Sequence, residues 1–283
     1  MPSRARDRQL AKTAERRRLE KRRARPNRRA GLGVGAGVAI VLVALLVFGL
    51  LSRDEASDLG ASVAPSAVPT GATPQQTGTV SATASPADKV ACGGKRPAAA
   101  DEPKPQFDRA PSPKDVLDKG TTYTAVIETS CGTIDVELDS QSAPKTVASF
   151  VFLAEQGYFD GTFYHRVVDS IDVIQGGDPT GTGAGGPGYT IPDELSGKEH
   201  YAPGTIAMAN GGPDSGGSQF FLITGPDGAN LDNNANYTIF GDVTGGLQVA
   251  KQINALMETS DGTYDGPPTE AVYVDKVTIE TST

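Results

Sequence analysis

The sequence predicts a mainly β domain over residues 120–283: a closed eight-stranded antiparallel β-barrel capped by two α-helices, preceded by one transmembrane helix and a disordered linker. Three observations lead there. Eight short runs rich in β-branched and aromatic residues follow residue 120, separated by loops dense in Gly, Pro, Asn and Asp. Two stretches among them switch to a helical period. Upstream, one long uncharged run gives way to a segment with almost nothing to bury.

Residues 1–30 hold 13 of the 26 Lys and Arg residues but only 3 of the 34 acids, leaving 13 basic and 31 acidic residues behind them. The overall charge of −8 hides this split. Residues 31–51, GLGVGAGVAIVLVALLVFGLL, carry no charge and reach roughly 30 Å as a helix, the thickness of a hydrocarbon core. A cleaved signal peptide is the rival reading, but its apolar region is usually about 7–15 residues. With the basic residues on its N-terminal side, a retained anchor leaves the tail 1–30 in the cytoplasm and everything after residue 51 outside. The tail itself suits either topology or anionic partners. It lacks interleaved aromatics or a nucleic-acid fold, so no nucleic-acid partner is expected.

Residues 52–119 are rich in Ala, Pro, Ser, Thr and Gly and read as a low-complexity tether, with 97–113 also unstructured. Cys92 and Cys131 both fall on the expected outside, where disulfides persist. Spacing alone leaves a Cys92–Cys131 bond and two separate thiols both open.

From residue 120 the texture changes. TYTAVIET and TIDVELD alternate and pair around a turn at Ser130, Cys131 and Gly132. Over 143–156, Ala143, Val147, Phe150, Val151 and Ala154 share a helical face, with Ser142 as cap, Pro144 in the first turn and Gly157 at the end. TFYHRVV, DVIQG, GTIAMAN, SQFFLIT and YTIFGDV read as short strands. A second helix covers roughly 245–257, with Val249, Ile253, Leu256 and Met257 on one side, and AVYVDKVTIET closes the chain as a strand.

Several motif matches fail on context. GTGAGG at 181–186 fits a dinucleotide fingerprint, but Pro187, Gly188 and Pro192 follow where a helix must start, so the glycines read as a flexible surface loop. DNNAN at 232–236 lacks the glycine and glutamate of a calcium loop. His165 and His200 have no metal-spaced partners, and no nucleophile stands beside His165, which reads as structural.

What remains is FYHRVV, QGGDPTGTGAGGPGY, MANGGPDSGGSQFF and YTIFGDV, in that order. One fixed cation, three amides and an aromatic floor suit the gripping of a peptide backbone, not hydrolysis. Here the chain resembles the cyclophilin family of peptidyl-prolyl cis-trans isomerases over about residues 123–281, and the whole layout resembles membrane-anchored actinobacterial members. The resemblance implies Arg166 as the donor that stabilises the twisted amide, with Gln175 orienting it. It implies peptide binding by Met208, Ala209, Asn210 and Gln219, and a proline pocket floored by Phe221 with Val173, Leu231 and Tyr237 on its walls. No cofactor or metal is implied.

Three departures from the family pattern stand out. The stretch between Arg166 and Gln175 has one extra residue, with SIDV at 170–173 where an aromatic-methionine pair is usual. Asp172 beside an apolar pocket is costly unless it faces water, and a bulge there would present Ile171 instead. Asn230 stands where many members have a tryptophan that contacts cyclosporin. Weak cyclosporin inhibition is therefore expected, and a nanomolar inhibition constant would contradict it. Tyr237 replaces a common histidine and keeps a ring with a polar tip.

The expected protein is a single-pass membrane isomerase acting on X-Pro bonds in unfolded or exported proteins. The alternative is a weakly catalytic proline-peptide-binding chaperone or scaffold, kept open by the altered 170–173 segment.

Overall fold

The computed structural model describes residues 74–80 and 87–283. The basic tail 1–30, the apolar run 31–51 and the linker as far as residue 73 lie outside the described residues. The transmembrane expectation falls there; among the described residues no helix is long and apolar enough to cross a membrane.

The segment read as unstructured is partly folded, which corrects the expectation for 97–113. Strands β1 (Gln76–Val80) and β2 (Lys104–Phe107) form a two-stranded antiparallel sheet, and α1 (Pro113–Val116) adds one turn. Composition missed this because few side chains do the anchoring. Phe107, only 3% exposed, packs edge-on against Phe152 with ring centroids 4.9 Å apart. Ala91 N–H donates to the Ala271 carbonyl at 2.9 Å, and Ala271 N–H to the Lys89 carbonyl at 2.8 Å. Arg96 donates to the Tyr273 hydroxyl at 2.6 Å. Cys92 and Cys131 form a disulfide with their Cα atoms 5.0 Å apart. At Gly161 a Cβ would lie 2.3 Å from the Ala99 and Ala100 backbone, so only glycine lets this strap lie so close.

Period-two alternation builds the main sheet. In β3 (Thr122–Thr129), Tyr123, Ala125, Ile127 and Thr129 are buried; in β4 (Gly132–Leu138), Ile134, Val136 and Leu138 are. The remaining strands are β5 (Arg166–Val168), β6 (Val173–Gly176), β7 (Thr205–Met208), β8 (Phe220–Ile223), β9 (Ile239–Gly245), β10 (Asp265–Gly266) and β11 (Val274–Ser282). They form one nine-stranded antiparallel sheet in the order β10-β5-β6-β8-β7-β9-β4-β3-β11.

The sheet curls but does not close into the expected eight-stranded barrel. The predicted strand 162–168 divides its hydrogen bonds. Tyr164 N–H donates to Val272 and the Thr162 carbonyl accepts from Val274, whereas His165 N–H already turns to Gln175. One isolated bridge, Phe163 with Tyr273, therefore stands where a continuous ladder would have closed the ring.

Helix α2 (Pro144–Glu155) starts and stops where the sequence places it, with Gly157 at φ +64° ending it. Its cap differs from expectation. Ser142 N–H is taken by the Asp139 carboxylate, and Glu194 caps the helix from 48 residues away. Helix α3 (Leu247–Asn254) buries Ala250 and Ile253, with Val249, Leu256 and Met257 packed partly buried against the core.

Alternation also splits the apolar residues into two clusters. Val167, Ile174, Ile206, Met208, Phe220 and Leu222 enter the main core with Phe150 and Phe240. Val168, Val173, Ala207, Phe221 and Ile223 point to the opposite face with Tyr201, and there they form the candidate site.

Candidate active site

Antiparallel register aligns the site in one row across the sheet. Arg166 on β5 pairs with Gln175 on β6, Gln175 with Phe221 on β8, Phe221 with Ala207 on β7, and Ala207 with Ile239 on β9. Directly paired residues share a face with Cβ atoms about 4.5–5.5 Å apart, so a cation, an amide and an aromatic ring become neighbours without any loop having to fold correctly.

That row edges a pocket of about 90 Å³ lined by Arg166, Ile171, Val173, Gln175, Ala209, Asn210, Phe221, Leu231 and Tyr237. The Phe221 ring meets Tyr237 edge-on, with centroids 5.2 Å apart at 89°. Tyr201 holds this pair from below: its hydroxyl donates to the Tyr237 carbonyl at 2.8 Å and accepts from Tyr237 N–H at 3.0 Å. Burial pushes the Tyr201 phenol up to about 12, so it stays protonated and can donate. Sequence reading missed Tyr201; its only signal was a tyrosine among loop residues.

A second, larger pocket of about 350 Å³ adjoins the first and shares Gln175, Ala209 and Asn210 with it. Gln219 lines this one together with residues 183–187 and Tyr189. The structure thus gathers nine of the ten sequence-predicted site residues around the two pockets. Met208 is the exception, and its expected place in the site is corrected. It sits one residue out of phase with Ala207 and Ala209, so the pleat turns it into the main core at 3% exposure.

A hydrogen-bond relay runs along the row. Arg166 Nη1 donates to Gln175 Oε1 at 3.2 Å, and Gln175 Nε2 donates to Gln219 Oε1 at 3.0 Å. Gln219 Nε2 then donates to the Gly183 and Gly185 carbonyls at 3.0 and 2.9 Å. On its other side Arg166 meets Asp265, with Nε to Oδ1 at 2.6 Å and Nη2 to Oδ2 at 2.8 Å. The Asp265 hydrogen bonds raise the guanidinium's pKa further, and Arg166 in turn lowers the carboxyl's. Asp265 was invisible in the sequence, because β10 is a two-residue strand with no alternating pattern.

The altered 170–173 segment takes a definite form. Asp169–Ile171 make a 3-10 turn and Asp172 follows in the left-handed region at φ 50°. Ile171 faces the pocket, presented by this turn rather than by a β-bulge. The Asp172 carboxylate turns away and accepts from Asp227 N–H at 2.8 Å, while its carbonyl accepts from Thr224 N–H at 2.8 Å. Asn230 donates to the Ser170 carbonyl at 3.2 Å.

The glycine stretch 181–186 is organised rather than loose. Asp178 accepts from Thr180 N–H at 2.7 Å, Gly183 N–H at 2.6 Å and Gly185 N–H at 3.2 Å. Its own carboxylate occupies the cradle that a phosphate would need. Burial alone would raise the Asp178 carboxyl, but these bonds outweigh it and hold the group below the usual range. In the DNNAN turn, Asp232 accepts from Tyr201 N–H at 2.9 Å and pairs with His200 at 2.6 Å. No cluster able to hold a metal ion occurs among the described residues.

Residues 124–279 match the sequence profile of the family described as cyclophilin type peptidyl-prolyl cis-trans isomerase/CLD. Peptidyl-prolyl cis-trans isomerase B of Bacillus subtilis is 47% identical over 122 residues, covering 43% of this chain and 82% of that protein. The probable peptidyl-prolyl cis-trans isomerase A of Mycobacterium leprae is 41% identical over 172 residues, covering 55% of this chain and 91% of its own. Among solved structures, a Cryptosporidium parvum cyclophilin type peptidyl-prolyl cis-trans isomerase superposes with a TM-score of 0.50 at 28% identity, over 57% of this chain and 99% of that one. Sequence and curled antiparallel sheet agree: this chain belongs to the cyclophilin-type family of peptidyl-prolyl cis-trans isomerases.

Proposed function

We propose that Arg166 is the catalytic donor in an isomerase that acts on X-Pro bonds of exported proteins from the outer side of a membrane. The observation that carries this reading is the row Arg166–Gln175–Phe221, which sets a fixed guanidinium in a pocket where Ile171, Val173, Phe221 and Leu231 offer an apolar wall suited to a proline ring.

The chemistry follows from the amide. Rotation about X-Pro is slow because the nitrogen lone pair is shared with the carbonyl, giving a barrier of about 20 kcal/mol. At mid-rotation that pair localises on nitrogen. A donor aimed at it binds the twisted state more tightly than either planar state, which lowers the barrier. Arginine stays protonated at working pH and its planar fork holds a direction. Phe221 and Tyr237 hold the ring still while the amide carbonyl swings. The main-chain N–H and C=O of Asn210 make no backbone–backbone hydrogen bond among the described residues, which leaves them for a peptide main chain, while its side chain is held by the Asn236 carbonyl at 2.7 Å.

The location rests on the uncharged run 31–51 and the basic residues before it, and the Cys92–Cys131 bond suits an oxidising compartment. Protease added outside intact cells should remove the C-terminal domain; a protected domain would overturn that part. The peptide-binding alternative rests on the altered 170–173 segment; that Ile171 of this segment lines the pocket favours the catalytic reading.

The test of catalysis is a protease-coupled X-Pro peptide assay on the full chain. Arg166→Ala is expected to lower kcat by about a hundredfold while peptide affinity changes little, the pattern of a contact made mainly in the transition state. An unchanged rate would remove Arg166 from the mechanism.

A further inference from the structure

We propose that Asp265 is a positioning residue for the isomerase reaction, fixing the plane of the Arg166 guanidinium so that its remaining donors meet the prolyl nitrogen. This rests on the reading of Arg166 as the donor.

The argument is a donor count. A guanidinium has five N–H bonds. Asp265 takes the Nε proton and one on Nη2, and Gln175 takes one on Nη1. Two donors are left, one on each terminal nitrogen, and both lie in a plane already held at two edges. A single amide contact from Gln175 at 3.2 Å would let the group rotate about its long stem. The bidentate pair at 2.6 and 2.8 Å removes that freedom. Arg166 and Asp265 side chains are 43% and 50% exposed, so the pair adds little to folding stability and its value is directional.

Asp265 is itself held in place. Its two-residue strand β10 pairs with β5, Asp265 opposite Val168 and Gly266 opposite Val167. The loop before it is fastened to the altered turn. Asp169 N–H donates to the Tyr264 carbonyl at 2.9 Å, and the Asp169 carboxylate accepts from Gly262 N–H at 2.5 Å. The 169–172 turn therefore does two things at once. It presents Ile171 to the proline pocket and anchors the loop that carries the Arg166 partner.

The test is kinetic, on the full chain, with Asp265→Ala, Asp265→Glu, Arg166→Ala and the double variant Arg166→Ala/Asp265→Ala. Asp265→Ala should lower kcat about tenfold or more with KM within about twofold, and Asp265→Glu should recover part of the loss. The double variant should be no slower than Arg166→Ala alone, since both act through one group. If Arg166→Ala is as active as wild type, the donor reading itself fails. If Arg166→Ala is slow but Asp265→Ala keeps its kcat, or is faster, the donor reading stands and the positioning role of Asp265 is wrong.

Discussion

The backbone N–H of Phe107 donates to the carbonyl of Pro187 at 2.8 Å. The neighbouring Gln106 side chain donates to the Gly186 carbonyl, also at 2.8 Å. Strand β2, upstream of the boundary expected at residue 120, thus holds one wall of the larger pocket, because Gly186 and Pro187 line it.

A deletion series checks this. Removing residues 1–73 should leave the urea midpoint and kcat/KM of the remainder near those of the full chain. Removing 1–119 deletes the buried Phe107 and the Cys92 half of the disulfide as well, a loss of at least about 3–5 kcal/mol by analogy with Phe→Ala truncations. Equal midpoints for the two deletions would show that the strap is dispensable.

The Cys92–Cys131 bond closes a loop with a sequence separation of 39. Chain-entropy arguments give about 3–4 kcal/mol for such a loop. Reduction, or Cys92→Ser with Cys131→Ser, should lower the denaturation midpoint accordingly and leave kcat nearly unchanged, since neither cysteine lines either of the two site pockets. A large drop in kcat at full stability would contradict this.

Glu194 holds helix α2 at its N-terminus. Its carboxylate accepts from Lys145 N–H at 3.0 Å, and from Thr146 N–H and the Thr146 hydroxyl at 2.9 Å each. Glu194→Ala should cost about 1–2 kcal/mol, the scale of a lost cap, and Glu194→Gln less. Ser142→Ala should change little. The reverse ranking in thermal melts would restore Ser142 as the cap.

Burial holds the His165 imidazole below its ordinary value; the Arg166 charge pushes the same way, and Asp178 opposes it. The unfolded chain then binds a proton near pH 6.5 that the folded chain resists. This contribution to stability is complete above about pH 6.5 and shrinks as pH falls through the folded value. Urea midpoints of the wild type should decline from pH 7.5 to 5, and His165→Gln should flatten that slope. Parallel slopes would exclude His165 as the source.

Much of this fold is local and therefore legible along the chain. TYTAVIET alternates because one face of β3 is buried, and Gly157 ends α2 because it takes positive φ. The motif blocks name Arg166, Gln175 and Phe221, since each lies on a strand whose neighbours set its face. What tertiary structure decided are the contacts made over long separations. Asp265 reaches Arg166 across 99 residues, Glu194 reaches α2 across 48, and Gln106 reaches Gly186 across 80. Periodicity reports which side of an element is buried but not which distant element covers it. Met208 shows the same limit at short range: it borders the motif, but the pleat sends it to the core.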